Sequence, residues 1–287
     1  MSEPLELSSA DVAALVRVPT PSDDKYSRGV VGFVTGSTRY PGAAVLGVEA
    51  ALRTGVGMAR YLGPARPTEL VLQRRPEAVT AQGRVQAWVV GSGIESVGDL
   101  EAEPERWAQA ALSSGHPIAI DAGVIDEASI ERATASGAPV MITPHAGELA
   151  RLLGRERSAV LEAPLEAARE VAARLDVVVL LKGHTTRAVA PSGAAVVARS
   201  APSWLATAGA GDALAGILGA LLASHAEALA TDADRTLLMR LGAAAAGIHG
   251  LAAERASAGG PLTVLDLCVA ISPVIAELVS GRAEGIA

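Results

Sequence analysis

The sequence predicts an α/β protein built on a central, mostly parallel sheet. Short apolar, β-rich runs alternate with longer helical patterns down the chain, as expected when each strand is followed by a crossover helix. Most of those runs are apolar nearly throughout, the mark of strands buried on both faces. Hydrophobic residues fill 50% of the 287 positions and charged ones only 19%, enough apolar material for a large core.

Taken in order, an N-terminal helix and a polar stretch from Pro19 to Ser27 precede the first expected strand, Val30 to Thr35. Further strands are expected at Gly57 to Leu62, Ala87 to Gly91, Pro117 to Asp121, Val140 to Thr143 and Val177 to Lys182. Next, Arg187 to Ala190 and Ala195 to Arg199 flank Pro191-Ser192-Gly193, an antiparallel hairpin that makes one edge of the sheet mixed. From Gly211 the chain is helical, with Leu214, Ile217, Leu218, Leu221 and Leu222 on one face. A long alanine-rich helix is expected over Arg235 to Arg255. A last one opens with Thr263 and Asp266 in capping-box spacing, and Pro273 is expected to kink or restart it. With no repeat and no long linker, residues 1–287 read as one domain, the first 25 as an N-terminal extension.

Composition excludes several classes. Aromatic residues are only 2% of the chain and the net charge is −7, so there is neither a basic face for phosphate backbones nor a supply of rings to stack on bases. No nucleic-acid partner is expected. Cys268 is the single cysteine; it cannot close an internal disulfide, reads as a buried thiol, and agrees with a cytoplasmic location. Residues Met1 to Leu15 carry Glu3, Glu6 and Asp11 and show no secretory-leader pattern. No apolar stretch of ~18 residues runs free of glycine or charge, so no membrane span is expected.

Four segments carry chemistry, each at a strand end or a helix start. Gly36-Ser37-Thr38-Arg39-Tyr40-Pro41-Gly42-Ala43-Ala44 leaves a strand and enters a helix, with Pro41 suited to the first turn and small residues that let an anion approach backbone N–H groups. A tight turn without a ligand has the same look. Thr143-Pro144-His145-Ala146-Gly147-Glu148 puts a histidine and a glutamate beyond a carboxyl end, where α/β sheets bind ligands. Leu180-Leu181-Lys182-Gly183-His184-Thr185-Thr186 ends a strand in a lysine followed by hydroxyls, which suits phosphate contact, although such a lysine can also snorkel to solvent.

The fourth, Ala208-Gly209-Ala210-Gly211-Asp212-Ala213-Leu214-Ala215-Gly216, weighs most. Gly209 and Gly211 permit backbone conformations that aim successive N–H groups at an anion, and the helix dipole reinforces them. Asp212, within the first turn, can take a proton from a hydroxyl attacking a phosphoryl group; the plainer role is helix capping.

Together these segments resemble the NAD(P)H-hydrate dehydratases of the ribokinase-like superfamily, over about residues 25 to 280. The Thr-Pro-His-Ala-Gly-Glu segment and the Tyr-Pro-Gly-Ala-Ala loop are more specific than the glycine-aspartate motif, which sugar and vitamin kinases share. The resemblance implies a single three-layer α/β/α domain, often a tetramer, that uses ADP or ATP with Mg²⁺ to return the S epimer of hydrated NADH or NADPH to the intact cofactor. By that likeness Ala43, Gly93, His145 and Asp212 contact the hydrated dinucleotide. Lys182, Gly183, His184, Thr185, Thr186, Gly209, Ala210 and Gly211 serve the nucleotide, and Glu148 orders water around the metal. Asp212 is then the catalytic base. Many relatives carry Gly-Gly-Thr-Gly-Asp or Gly-Gly-Ser-Gly-Asp where this chain has Ala208-Gly209-Ala210-Gly211-Asp212, a change of polarity in the anion hole. Asp121-Ala122 is close to the family's Asp-Ala pair. Many relatives are fused to an N-terminal epimerase; here about 25 residues precede the first expected strand, so the epimerase is expected to be a separate protein. The rival readings are a kinase of the same fold acting on a small alcohol or vitamin precursor, and a noncatalytic nucleotide-binding regulator, against which Asp212 speaks.

Overall fold

The computed structural model describes residues 4–198 and 201–281. Its described strands are β1 (Leu5–Glu6), β2 (Val30–Val34), β3 (Met58–Tyr61), β4 (Ala87–Val90), β5 (Ile118–Ile120), β6 (Val140–Ile142), β7 (Val178–Leu181), β8 (Arg187–Val189) and β9 (Ala195–Val197). They form one sheet in the order β1-β9-β8-β7-β6-β5-β4-β2-β3. All pairings are parallel except those of β8 with β7 and β9. The hairpin is as expected: Val189 faces Ala195, and Gly193 turns the chain at φ +85°. Arg199, placed at its end by the sequence, lies outside the described residues.

The helices are α1 (Ser9–Ala14), α2 (Pro41–Thr54), α3 (Ala65–Arg74), α4 (Ala102–Leu112), α5 (Glu127–Ala135), α6 (Ala146–Leu153), α7 (Arg157–Glu162), α8 (Pro164–Leu175), α9 (Ala210–Ser224), α10 (Ala226–Leu229), α11 (Thr236–Ser257) and α12 (Val264–Val279). Strand side chains divide them into two layers. Phe33, Val89, Ala119, Met141 and Leu180 join a core with α1, α2, α9, α11 and α12. Val34, Val90, Ile120, Ile142 and Leu181 join a second core with α4, α5, α6 and α8. Alternation along each strand thus feeds both faces, and the result is the three-layer α/β/α arrangement that the resemblance implied.

Three features depart from the sequence reading. Residues assigned to an N-terminal extension supply an edge strand: Leu5 and Glu6 pair with Val196 and Val197, a two-residue strand too short for a periodic signal. Helix α9 is buried on nearly all sides rather than along one face, with Ala213 to Ala223 all buried, because it is wedged between the sheet and α2 and α11. Helix α12 continues through Pro273 to Val279. Pro273 and Val269, whose carbonyl loses its i+4 donor, are both exposed, so solvent can satisfy that carbonyl.

Glycine sets how closely α9 packs. A Cβ on Gly216 would stand 2.1 Å from the Gly47 carbonyl oxygen of α2, and one on Gly219 would stand 2.4 Å from Val89 of β4. Helix α11 is long and apolar enough to cross a membrane, yet 78% of that window is buried inside this fold.

Candidate active site

The chain leaves β2 for β3 on one side and returns to β4 on the other. The strand order therefore reverses between β2 and β4, and their carboxyl ends flank the crevice where such sheets bind ligands. The Gly-rich loop and Gly93 meet there. Gly93 has φ +70°, and a Cβ on it would stand 2.5 Å from the Cβ of Ala43 and 3.0 Å from the Tyr40 carbonyl oxygen. The Gly36 N–H donates to the Ser92 carbonyl at 2.6 Å. Pro41 opens α2 with no side-chain cap and no N–H of its own, and the Ala43 N–H donates to the Tyr40 carbonyl at 3.4 Å, which leaves the Gly42 N–H for another acceptor.

At the far side of the crevice, Gly209 stands before α9 at φ +90°, again without a side-chain cap. Residues Gly209, Gly211 and Asp212 are partly exposed while Ala210 is buried, so one side of the turn opens outward. The Asp212 carboxyl is pushed up to about 7 by burial and by the Asp121 charge, against the pull of Lys182. A carboxyl that titrates near neutrality at an uncapped helix start is suited to proton transfer.

Between these two loops lie the ends of β5, β6 and β7. Asp121, following β5, is 3% exposed. It accepts from the Lys182 ammonium at 2.7 Å, from Thr143 Oγ1 at 2.7 Å and from Ser92 Oγ at 2.8 Å. Burial alone would raise its carboxyl, but the Lys182 charge and these donors hold it below the ordinary value. Burial works against the Lys182 ammonium too, and the charges of Asp121, Glu148 and Asp212 outweigh it, raising its pKa. The sequence reading left Lys182 between phosphate contact and snorkelling to solvent; its ammonium is engaged inward, with the side chain 20% exposed.

His145 is the N-cap of α6. Its Nδ1 accepts from the N–H groups of Gly147 at 2.9 Å and Glu148 at 3.1 Å, while Glu148 Oε2 accepts from the His145 N–H at 2.7 Å. With Nδ1 accepting, Nε2 is the ring nitrogen left to donate, in a side chain 60% exposed. The Lys182 N–H donates to the Pro144 carbonyl at 2.8 Å, which ties the second and third segments side by side. Gly183 and His184 form an exposed turn beyond β7, with Thr185 and Thr186 half-buried behind it.

Residues 31–271 match the family described as NAD(P)H-hydrate dehydratase. The chain belongs to that family. It is 42% identical over 227 residues to a bifunctional NAD(P)H-hydrate repair enzyme of Mycobacterium tuberculosis, a match covering 77% of this chain and 46% of that one. The chain thus spans about half the length of the first curated relatives. It is 33% identical over 232 residues to an ADP-dependent (S)-NAD(P)H-hydrate dehydratase of Xanthomonas campestris, covering 74% of this chain and 78% of the other. In fold it is similar to the ADP/ATP-dependent NAD(P)H-hydrate dehydratase of Bacillus subtilis co-crystallized with ATP/Mg²⁺, with a TM-score of 0.80 at 22% identity over 97% of this chain and all of the other.

As an NAD(P)H-hydrate dehydratase family member, the chain brings its four marked segments to one edge of the sheet. Sequence reasoning missed two groups there. Ser92 gave no signal, being one serine after a strand; Lys182 and Asp121 were each marked, one by its segment and the other by the likeness to the family's Asp-Ala pair, but their pairing with one another was not foreseen. His249, in the middle of α11, is 6% exposed with Nε2 unpartnered. Its pKa is pushed down to about 4 by burial, with the Ala210 backbone opposing. Only tertiary packing sets it behind the start of α9.

Proposed function

We propose that this chain dehydrates the S epimer of NADH or NADPH hydrate at the expense of ADP or ATP, giving NADH or NADPH, inorganic phosphate, and AMP or ADP. The observation that carries the chemistry is the Asp212 carboxyl, titrating near 7 in the first turn of a glycine-led, uncapped helix. Family membership and the Xanthomonas relative supply the substrate class. Asp212 accepts the proton of the ring hydroxyl as its oxygen attacks the terminal phosphorus, and the bond from that phosphorus to the bridging oxygen breaks. The ring nitrogen lone pair then expels phosphate to give an iminium, and loss of a proton from the adjacent ring carbon to solvent restores the dihydronicotinamide. The N–H groups of Gly209 and Gly211 offset charge on the moving phosphoryl group, while the Ala210 N–H donates to the Thr207 carbonyl and holds the turn between them, with Lys182, Gly183, His184, Thr185 and Thr186 lining the nucleotide side. Ala43, Gly93 and the Nε2–H of His145 serve the hydrated dinucleotide.

A magnesium ion fits this donor set. Among the described residues no cluster of three or more His, Cys, Asp or Glu side chains is able to hold a cation alone, so a magnesium ion here would be held mainly by water and nucleotide phosphates. Glu148, with Oε2 committed to the cap and Oε1 3.6 Å from His145 Nε2, would order its waters. Such an ion supplies charge neutralisation on the phosphates. We also propose assembly as a homo-oligomer in the cytoplasm, alongside an epimerase acting on the same substrate.

The test incubates the protein with NADPH hydrate, ADP and Mg²⁺ and follows the return of dihydronicotinamide absorbance. Recovery that requires nucleotide and yields one phosphate per turnover is expected. A stable phosphorylated product instead would identify a kinase and overturn the reading.

A further inference from the structure

The carboxylate of Asp121 is among the most deeply buried charged groups of the molecule, and side chains from three other strand ends converge on it: Ser92 after β4, Thr143 after β6 and Lys182 after β7. Such a pair is weak evidence for stability, since apolar residues of equal volume often serve as well. Its surroundings are more telling. A Cβ on Gly211 would stand 3.6 Å from the Lys182 ammonium, so the charge sits against the first turn of α9. Asp212 and Glu148 act on the same ammonium. Three carboxylates thus compete for one lysine, and Asp121 holds it at 2.7 Å.

We propose that Asp121, oriented by Ser92 and Thr143, is a positioning residue that fixes the Lys182 ammonium under the phosphate-binding turn and keeps it off the Asp212 base. The inference rests on the reading of the site given above. A lysine is a compact charge on a flexible stem; anchoring it before nucleotide arrives removes part of the ordering cost of binding. Two of its three N–H donors stay available for phosphate oxygens. Without Asp121, Lys182 is left to the charges of Asp212 and Glu148, which already act on its ammonium. An ion pair with Asp212 would occupy the lone pair that must accept the substrate proton.

A double-mutant cycle over Asp121→Asn and Lys182→Met tests this, reading kcat/KM on NADPH hydrate and, separately, ADP affinity by calorimetry. In the native background Asp121→Asn is expected to lower kcat/KM by about ten- to hundredfold, the usual scale for residues that orient a functional group, and to weaken ADP. In the Lys182→Met background, read at pH 9 where Asp212 is ionised with or without the Asp121 charge, the same change should alter either quantity by less than about twofold, because the residue through which Asp121 acts is gone. Asp121→Glu should recover part of the loss. Equal effects in both backgrounds would overturn the proposal, as would full activity in Asp121→Asn. If Asp121→Asn does not fold, the cycle is run with Ser92→Ala/Thr143→Val, which leaves the carboxylate in place but unoriented, and the same two outcomes decide. A native protein inactive on the hydrate would refute the functional reading, whereas the calorimetric cycle would still report on Asp121.

Discussion

With Asp212 as the proposed base, catalysis and stability make opposite demands at that position. The folded-state pKa of about 7 lies above the ordinary carboxylate value, so between roughly pH 4 and 7 the folded protein binds more protons than the unfolded chain. Stability therefore falls as pH rises through that window, and the cost of the ionised group is complete above 7. Activity runs the other way: kcat/KM should climb with pH and level off above about 7, as the base ionises. Asp212→Asn should lose about 10²-fold or more in kcat yet melt higher than the native protein at pH 8, the gap closing toward pH 5. Thermal melts across that range check it, and a variant that melts lower at pH 8 would mean that the carboxylate is structurally favourable. His145 is the cap of α6 and, in the proposed role, a contact to the hydrated dinucleotide. His145→Asn keeps an acceptor for the Gly147 and Glu148 N–H groups, so its stability should be near native, whereas His145→Ala should lose about 1 kcal/mol. Both should raise KM for the hydrate and spare ADP. A fall in kcat at constant KM would instead place the ring in the chemistry.

At the scale of elements, α2 and α9 act as a pair because glycine lets them touch. Gly216 meets the Gly47 carbonyl, which fixes the depth at which both helices lie and hence where their uncapped starts stand across the crevice. Gly216→Ala forces these helices apart. Overpacking of this kind costs ~1–3 kcal/mol, and because the contact lies several residues from Asp212, the variant should also lose turnover while Gly209, Gly211 and Asp212 remain intact. A melting temperature equal to native, with native kcat, would show that the crossing is slack. Helix α9 itself was read as amphipathic from Leu214, Ile217, Leu218, Leu221 and Leu222. Alanine and glycine between those leucines do not register as apolar surface in a periodicity count, yet they are what pack against α2 and the sheet.

For the whole molecule, nucleotide binding must appear as stability, since a ligand that binds only the folded chain stabilises it by mass action. At a hundredfold excess over Kd the gain is ~2.7 kcal/mol, roughly 5 °C for a chain of this size. ADP with Mg²⁺ should raise the melting temperature by about that much, and Lys182→Met should show a smaller rise at the same concentration. No shift at saturating ADP would refute a nucleotide site formed by this fold.

The sequence by itself determined the parallel α/β class, six of the strands and the hairpin to within a residue or two, and it marked the four segments to which the proposal assigns the chemistry. Those signals are local: apolar runs, proline and glycine at turns, and an aspartate in a first helical turn are governed by neighbours within a turn or two of chain. Family likeness, carried by the same segments, supplied the roles proposed for them. Tertiary structure alone decided the strand order that puts the reversal between β2 and β4, the pairing of Leu5 and Glu6 with β9, and the burial of α9 on nearly every side. It also decided that Lys182 meets Asp121, 61 residues away. No local propensity encodes such a partner, because a buried charge finds its counterion only once packing has excluded water and left one carboxylate within reach.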